Sequence, residues 1–104
     1  MISLATAKVL SAFVDAPLSV QYGFGLMRTT GLKSGSLYPI LERLTGNGWL
    51  HVSEEEIDEV AAGRPKRREY RLTVLGKREA PRAIAELRRA VDTLLGGQQR
   101  PVPA

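Results

Sequence analysis

The sequence predicts a mainly α-helical protein with one small β-hairpin, and three observations favour this fold class. Apolar residues recur at helical spacing in four segments, whereas only residues 49–53 and 69–72 are rich in β-forming side chains. The length of 104 residues allows one modest hydrophobic core. A hydrophobic fraction of 43% and a charged fraction of 25% are typical of a globular domain, which argues against disorder.

Two short helices are predicted first. Residues 3–15 place apolar side chains at helical spacing, and this helix must end before Pro17. Residues 22–30 form the second helix, which has Leu26 on its apolar face and Gly31 as its stop signal.

The third helix has the strongest pattern. Its apolar stripe repeats at intervals of three and four residues: Leu37, Ile40, Leu41 and Leu44. Ser34 or Ser36 can cap its start, Pro39 lies near the first turn, and residues 46–48 (Gly-Asn-Gly) end the helix. Because a short loop joins the second helix to the third, the pair predicts a helix-turn-helix.

The two β-forming runs flank a polar segment and predict a hairpin, residues 49–72, that we call the wing. Its tip contains four cations in one window of five residues: Arg64, Lys66, Arg67 and Arg68. An acidic run, residues 54–59, comes just before them. Three helices followed by such a hairpin are the element order of a winged helix-turn-helix.

A last helix is predicted from its N-cap, Thr73, to Leu95, and Gly96-Gly97 should end it. Its apolar stripe consists of Ile84, Leu87, Val91 and Leu94. One small domain can hardly cover this stripe alone, so we expect it to pair with a second copy of the chain. Pro81 predicts a kink or a restart within this helix.

These elements suggest three parts: a winged-helix domain over residues 1–72, a C-terminal dimerisation helix over 73–96 packed on the same unit, and a flexible tail over 97–104. We expect no membrane contact and a cytoplasmic location, because the apolar stretches are too short or too charged to span a bilayer. The start also lacks the pattern of a secretory signal.

The start of the third helix has the features of an anion site. Lys33, Ser34 and Ser36 place a cation and two hydroxyls where a helix N-terminus already favours negative charge. A DNA phosphate can dock there while the major groove admits the helix. The alternative is that the serines only cap the helix and that Tyr38 packs against the core.

The wing tip is the second candidate for nucleic-acid contact. Its cations can neutralise phosphates, an arginine can enter a narrow minor groove, and Pro65 would stiffen the tip. The alternative is a solvated charge run that the acidic run balances. The neighbouring helix-turn-helix and the net charge of +4 favour nucleic acid.

Four segments of the chain resemble signature segments of the PadR family: residues 22–25 (YGFG), 34–44 (SGSLYPILERL), 48–50 (GWL) and 63–73 (GRPKRREYRLT). The resemblance covers about residues 3–95. It implies a dimeric winged-helix repressor whose third helix reads the major groove and whose wing lies against the neighbouring backbone or minor groove.

The resemblance also implies contact residues. Those for DNA are Lys33, Ser34, Ser36, Tyr38, Pro39 and Arg43 on the helix, and Arg64, Pro65, Lys66 and Arg67 on the wing. Those for the dimer, on the first and last helices, are Leu4, Ile84, Leu87, Val91 and Leu94. The chain departs from the family pattern at Gly25, where similar sequences carry a longer polar residue, and at Pro81, so the half-site geometry cannot simply be copied.

The predicted function is a sequence-specific repressor that binds double-stranded DNA as a homodimer. A small-molecule effector, if one exists, is not identified by the sequence; the last helix offers no aromatic platform for it, and Phe13 could line a smaller pocket. The alternative is a non-catalytic winged-helix module that binds nucleic acid without sequence preference or an acidic protein. With no cysteine, one histidine and no phosphate-binding glycine loop, we expect neither an enzyme nor a cofactor or metal site.

Overall fold

The computed structural model describes the backbone of residues 1–99 and the side chains of residues 1–96. In chain order the elements are α1 (Leu4–Val14), β1 (Gln21–Tyr22), α2 (Gly23–Thr30), α3 (Ser34–Gly46), β2 (Leu50–Glu54), α4 (Glu59–Ala62), β3 (Arg68–Leu72) and α5 (Val74–Gln99). The predicted order of three helices, hairpin and last helix is confirmed. Two short elements, β1 and α4, are additions.

The sheet has three antiparallel strands in the order β1-β3-β2, so β3 is its centre. In the wing, Leu50 pairs with Leu72 and Val52 with Tyr70. Tyr70, Leu72 and Leu50 are buried, which places one face of the sheet on the core. The two-residue β1 adds Gln21 opposite Tyr70 and so attaches the wing to the start of α2.

The core is formed where α1, α2 and α3 pack together against this sheet and the first half of α5. Its largest fully buried side chains are Phe13, Leu10, Leu26, Leu37, Leu41 and Val9. Phe13 is completely enclosed in the core of the single chain, and its expected place in a smaller effector pocket stays a prediction. The periodic spacing within α1 turns Phe13 inward together with Val9 and Leu10.

The start of α3 differs from the prediction. Lys33, not a serine, occupies the cap position, and its carbonyl accepts bonds from the N–H groups of Ser36 (3.0 Å) and Leu37 (2.9 Å). Ser34 is already the first helical residue, so the prediction that Ser34 or Ser36 caps the helix is wrong. Lys33 has the extended backbone of a cap residue, but its side chain makes no capping hydrogen bond. Both serine residues stay exposed.

The long helix α5 is continuous through Pro81, so the restart that was expected there is wrong. Proline removes one helical hydrogen bond, but buried Ala80 and Ala83 hold this part of α5 against the core. The predicted N-cap is confirmed, since the Thr73 hydroxyl accepts the Gly76 N–H at 3.0 Å.

The predicted end of α5 at residue 96 is wrong, because the helix continues to Gln99. A glycine ends a helix where it takes a left-handed conformation, and Gly96 does not take one, unlike Gly31 with φ of 75°. Residues 100–104 of the predicted flexible tail lie outside the described residues.

Candidate nucleic-acid interface

The outer face of α3 forms the first part of the candidate site. The four apolar residues of the predicted stripe are buried, and this burial turns the opposite face of the helix to solvent. All six contact residues predicted on or before this helix are exposed: Lys33, Ser34, Ser36, Tyr38, Pro39 and Arg43. The first-turn N–H groups of a helix carry partial positive charge, and Lys33 stands directly before them. This end of α3 can therefore receive a phosphate.

Tyr38 leans across the surface onto α2. Its ring lies so close to Gly23 that a Cβ at residue 23 would collide with the hydroxyl end of the ring. The Tyr38 side chain covers the buried Gly23 and is itself 43% exposed, so packing against the core, the alternative considered from the sequence, leaves the ring at the surface. Gly23 is the first residue of α2, and a side chain there would meet the Tyr38 ring. Its role is to allow this close approach.

The wing tip contains more structure than a solvated charge run. Asp58 accepts bonds from the N–H groups of Val60 (3.0 Å) and Ala61 (3.3 Å), which starts the single turn of α4. Gly63 ends this turn in a left-handed conformation with φ of 68°. The acidic run thus builds the tip on which the cations are displayed. Pro65, Lys66, Arg67 and Arg68 are all exposed there.

Arg64 differs from the other cations of the tip because its guanidinium is hydrogen-bonded to a carboxylate. Its Nη1 and Nη2 atoms donate to Oε1 and Oε2 of Glu55 at 2.7 and 3.0 Å. Glu55 also accepts the backbone N–H of Arg67 at 2.9 Å. The bonds from Arg64 in particular hold the pKa of Glu55 at about 2, below the ordinary 4.5, and the same pairing raises the pKa of Arg64.

A groove of about 420 Å³ lies between α2, α3 and β3, and we call it the aromatic groove. Its lining residues are Tyr22, Gly23, Phe24, Tyr38, Arg67, Arg68 and Tyr70. The Arg67 guanidinium stands 5.6 Å from the centre of the Tyr22 ring, a cation–π distance. The helix and the wing, predicted as separate contacts, are therefore joined into one surface. Sequence reasoning missed Tyr22 and Phe24 as members of it, although both belong to the YGFG segment.

The predicted dimer residues fall into two groups. Ile84 packs against the core of its own domain, and Leu87 is half-buried. Val91 and Leu94 farther along α5 are 41% and 71% exposed, and Leu4 at the start of α1 is exposed as well. The apolar surface of α5 thus begins where the domain stops covering the helix.

Within residues 1–96 no three histidine or carboxylate side chains come together as metal ligands would. No helix of the described chain has the length and apolar character that crossing a bilayer requires.

Residues 22–82 match the sequence model of the family described as transcriptional regulator PadR-like. The chain belongs to this family. The matched residues contain α2, α3, the whole wing and the first turns of α5, which are the elements that build the surface described above. PadR-like proteins are transcriptional regulators and not enzymes, in agreement with the prediction. No curated protein matches the sequence.

Solved structures share the PadR-like fold. The smu.1704 protein of Streptococcus mutans is 24% identical with a TM-score of 0.75, over 97% of this chain and 92% of that chain. A PadR-like transcription factor from Bacteroides fragilis is 20% identical with a TM-score of 0.65, over 89% and 87%. Overoxidized AbfR bound to DNA is 21% identical with a TM-score of 0.65, over 94% and 68%, and AbfR comes from Staphylococcus epidermidis. At these identities the likeness shows the fold, and it confirms the predicted winged-helix class.

Proposed function

We propose that this chain is a homodimeric repressor that binds double-stranded DNA through α3 and the wing. The observation that carries the proposal is the continuous surface on which the N-terminus of α3, the aromatic groove and the exposed wing cations lie side by side. Membership of a family of transcriptional regulators supports it. The structure of AbfR bound to DNA supports it further, since that protein shares the fold.

The contacts divide into phosphate contacts and base contacts. Lys33, Ser34 and Ser36 suit a phosphate at the start of α3, because one cation and two hydroxyls are exposed beside the N–H groups of the first turn. Lys66 and Arg67 suit phosphates beside the wing. Base edges are left to the residues along α3: Tyr38 on the side of the wing, Pro39 on the outer face, and Arg43 on the side of α1.

The proposed dimer joins the exposed parts of α5 and α1 of two copies. Val91, Leu94 and Leu95 expose apolar surface along one stretch of α5, and Leu4 does the same on α1. A second copy covers these side chains with the same side chains in a two-fold arrangement. Such a dimer places its two α3 helices in successive major grooves, roughly 34 Å apart, on a palindromic operator.

Regulation by a small molecule is the remaining part of the proposal. AbfR has been solved in disulfide and overoxidized forms, but this chain contains no cysteine, so thiol oxidation cannot be its switch. An effector would instead change the angle between α5 and the winged domain, and with it the spacing of the two α3 helices. Equal operator affinity with and without every effector tried would count against this part.

A DNA titration at two salt concentrations tests the function. The DNA upstream of the chain's own gene is compared with a scrambled duplex of the same composition, and the mass of the free protein is measured in parallel. A preference for the upstream DNA, a steep salt dependence and a dimer mass are expected. Equal binding to both duplexes would favour a non-specific nucleic-acid module, and binding to neither would refute the proposal.

A further inference from the structure

We propose that Glu55 and Arg64 form a clamp within the wing that positions Lys66 and Arg67 for contact with DNA. In this arrangement Arg64 is a positioning residue, although its place in the basic run suggests a phosphate contact. The inference rests on the proposed DNA binding and goes beyond it, because it assigns a role to a carboxylate at a surface that binds a polyanion.

The clamp closes the wing tip from both ends. Glu55 is only 8% exposed, and both of its carboxylate oxygens accept bonds from the Arg64 guanidinium. The same carboxylate accepts the N–H of Arg67, while the Glu55 N–H donates to the Arg67 carbonyl at 2.9 Å. One residue therefore holds the side chain of Arg64 and the backbone of Arg67, so residues 55–67 form a closed loop.

Little of Arg64 is left for DNA. Its Nη1 atom also donates to the Pro65 carbonyl at 3.2 Å, and its side chain is 33% exposed. If Arg64 left this position to reach a phosphate, the nearly buried Glu55 carboxylate would lose both guanidinium bonds and keep only the bond from the Arg67 N–H, which is costly. Lysine cannot replace it, because only the planar guanidinium meets both oxygens of Glu55 at once.

The clamp also sets where the neighbouring cations point. The Arg67 backbone is fixed by Glu55, its Nε lies 3.9 Å from the carboxylate, and its guanidinium lies over the Tyr22 ring. Tyr22 directly precedes α2. These contacts connect Glu55 through Arg67 to the start of the helix-turn-helix. Lys66 lies between Arg64 and Arg67, which are both restrained by Glu55. Without the clamp, the tip loses its fixed position relative to α3.

The test uses a random-sequence duplex, because phosphate contacts do not depend on sequence. Glu55→Ala removes a negative charge, and by charge alone it should strengthen DNA binding. The clamp predicts the opposite: affinity falls at least about tenfold at about 50 mM salt, and the salt slope falls by about two units as Lys66 and Arg67 disengage. The matched control is Glu56→Ala, which removes the same charge from the next, exposed residue and should leave affinity equal or higher.

Arg64→Lys separates positioning from charge. The clamp predicts that this variant weakens binding as Glu55→Ala does, whereas a phosphate contact would largely survive because the charge is kept. Normal affinity in Arg64→Lys, or stronger binding in Glu55→Ala, would overturn the clamp. Amide hydrogen exchange is measured on the same variants without DNA, and unchanged protection of residues 55–67 in Glu55→Ala would also overturn it. A native chain that binds no DNA would refute the proposed function, and the exchange result would still decide whether Glu55 holds the tip.

Discussion

Leu94→Ala should weaken the proposed dimer strongly, and the size of the effect follows from the exposure of this side chain. Burying a whole leucine side chain contributes about 1.5–3 kcal/mol. Leu94 is 71% exposed in the single chain, so covering it contributes about 1–2 kcal/mol per protomer. Both copies lose this burial in a two-fold dimer, about 2–4 kcal/mol together, which raises the dimer Kd by about 30- to 700-fold.

Sedimentation equilibrium over a range of protein concentrations measures this Kd. Alanine is at least as good a helix former as leucine, so α5 should persist in the variant, and circular dichroism checks that it does. Leu18→Ala is the matched control, since Leu18 is 84% exposed, lies between α1 and β1, and is not one of the residues assigned to the proposed dimer face. Unchanged dimer affinity in Leu94→Ala, or an equal loss in Leu18→Ala, would refute the assignment of this face.

Three further predictions concern the wing and its supports. Gly23→Ala should displace the Tyr38 ring and weaken DNA binding at nearly unchanged stability. The Cβ of Gly25→Ala meets no described atom within 4 Å, so this variant should stabilise α2 by about 0.5–1 kcal/mol and leave DNA binding unchanged. DNA titrations and thermal melts of both variants check these results. Gly76→Ala should be severely destabilising in the same melts, because its Cβ would collide with the backbone carbonyl that precedes β2. The lowered pKa of Glu55 means that its contribution to stability is present above pH 4.5 and is lost as the pH falls toward 2, so Glu55→Gln should show a smaller loss of unfolding free energy over that window in acid denaturation.

Helices α2 and α3 could be predicted with their ends because each combines a periodic apolar stripe with a local stop signal. In α3 the apolar stripe ends at Leu44, and the Gly-Asn-Gly stop signal begins two residues later. Both signals are local, so no distant contact is needed to place the helix. The same holds for α2, which Gly31 ends in a left-handed conformation. Local signals of this kind are complete in the sequence.

The short elements could not be predicted because neither has a pattern that stands out in the sequence. The two residues of β1 are too few for a periodic pattern, and they form a strand only because β3 lies beside them. The turn of α4 depends on Asp58 as its N-cap. In the sequence, nothing distinguishes Asp58 from the other acidic residues of the run. Pro81 shows the reverse case, in which packing of Ala80 and Ala83 keeps a helix continuous across a residue that usually breaks one.

The candidate site was predictable in composition but not in pairing. The sequence shows four cations and five acidic residues around the wing tip, and nothing in their order distinguishes Arg64 from Lys66. Only the fold brings Arg64 back to Glu55, nine positions earlier, and so separates one structural cation from those that remain exposed. The close approach of Tyr38 to Gly23 is hidden in the same way, since the two residues lie on different helices.

The outer face of α3 limits how such a protein can read DNA. Gly35, Pro39, Glu42 and Gly46 recur at the spacing of one helix face, and all four are exposed. Three of them have no side-chain hydrogen-bond donor or acceptor, so in the proposed complex this face offers the groove one carboxylate and otherwise only backbone and the proline ring. Glu42 can accept a bond from a cytosine amine, while Arg43 and Tyr38 reach from the two edges. A helix with so few reading groups must draw the rest of its specificity from the shape of the duplex, and shape is sensed through phosphates at fixed positions. The rigidity of the wing, set by Glu55, therefore bears on specificity as well as on affinity.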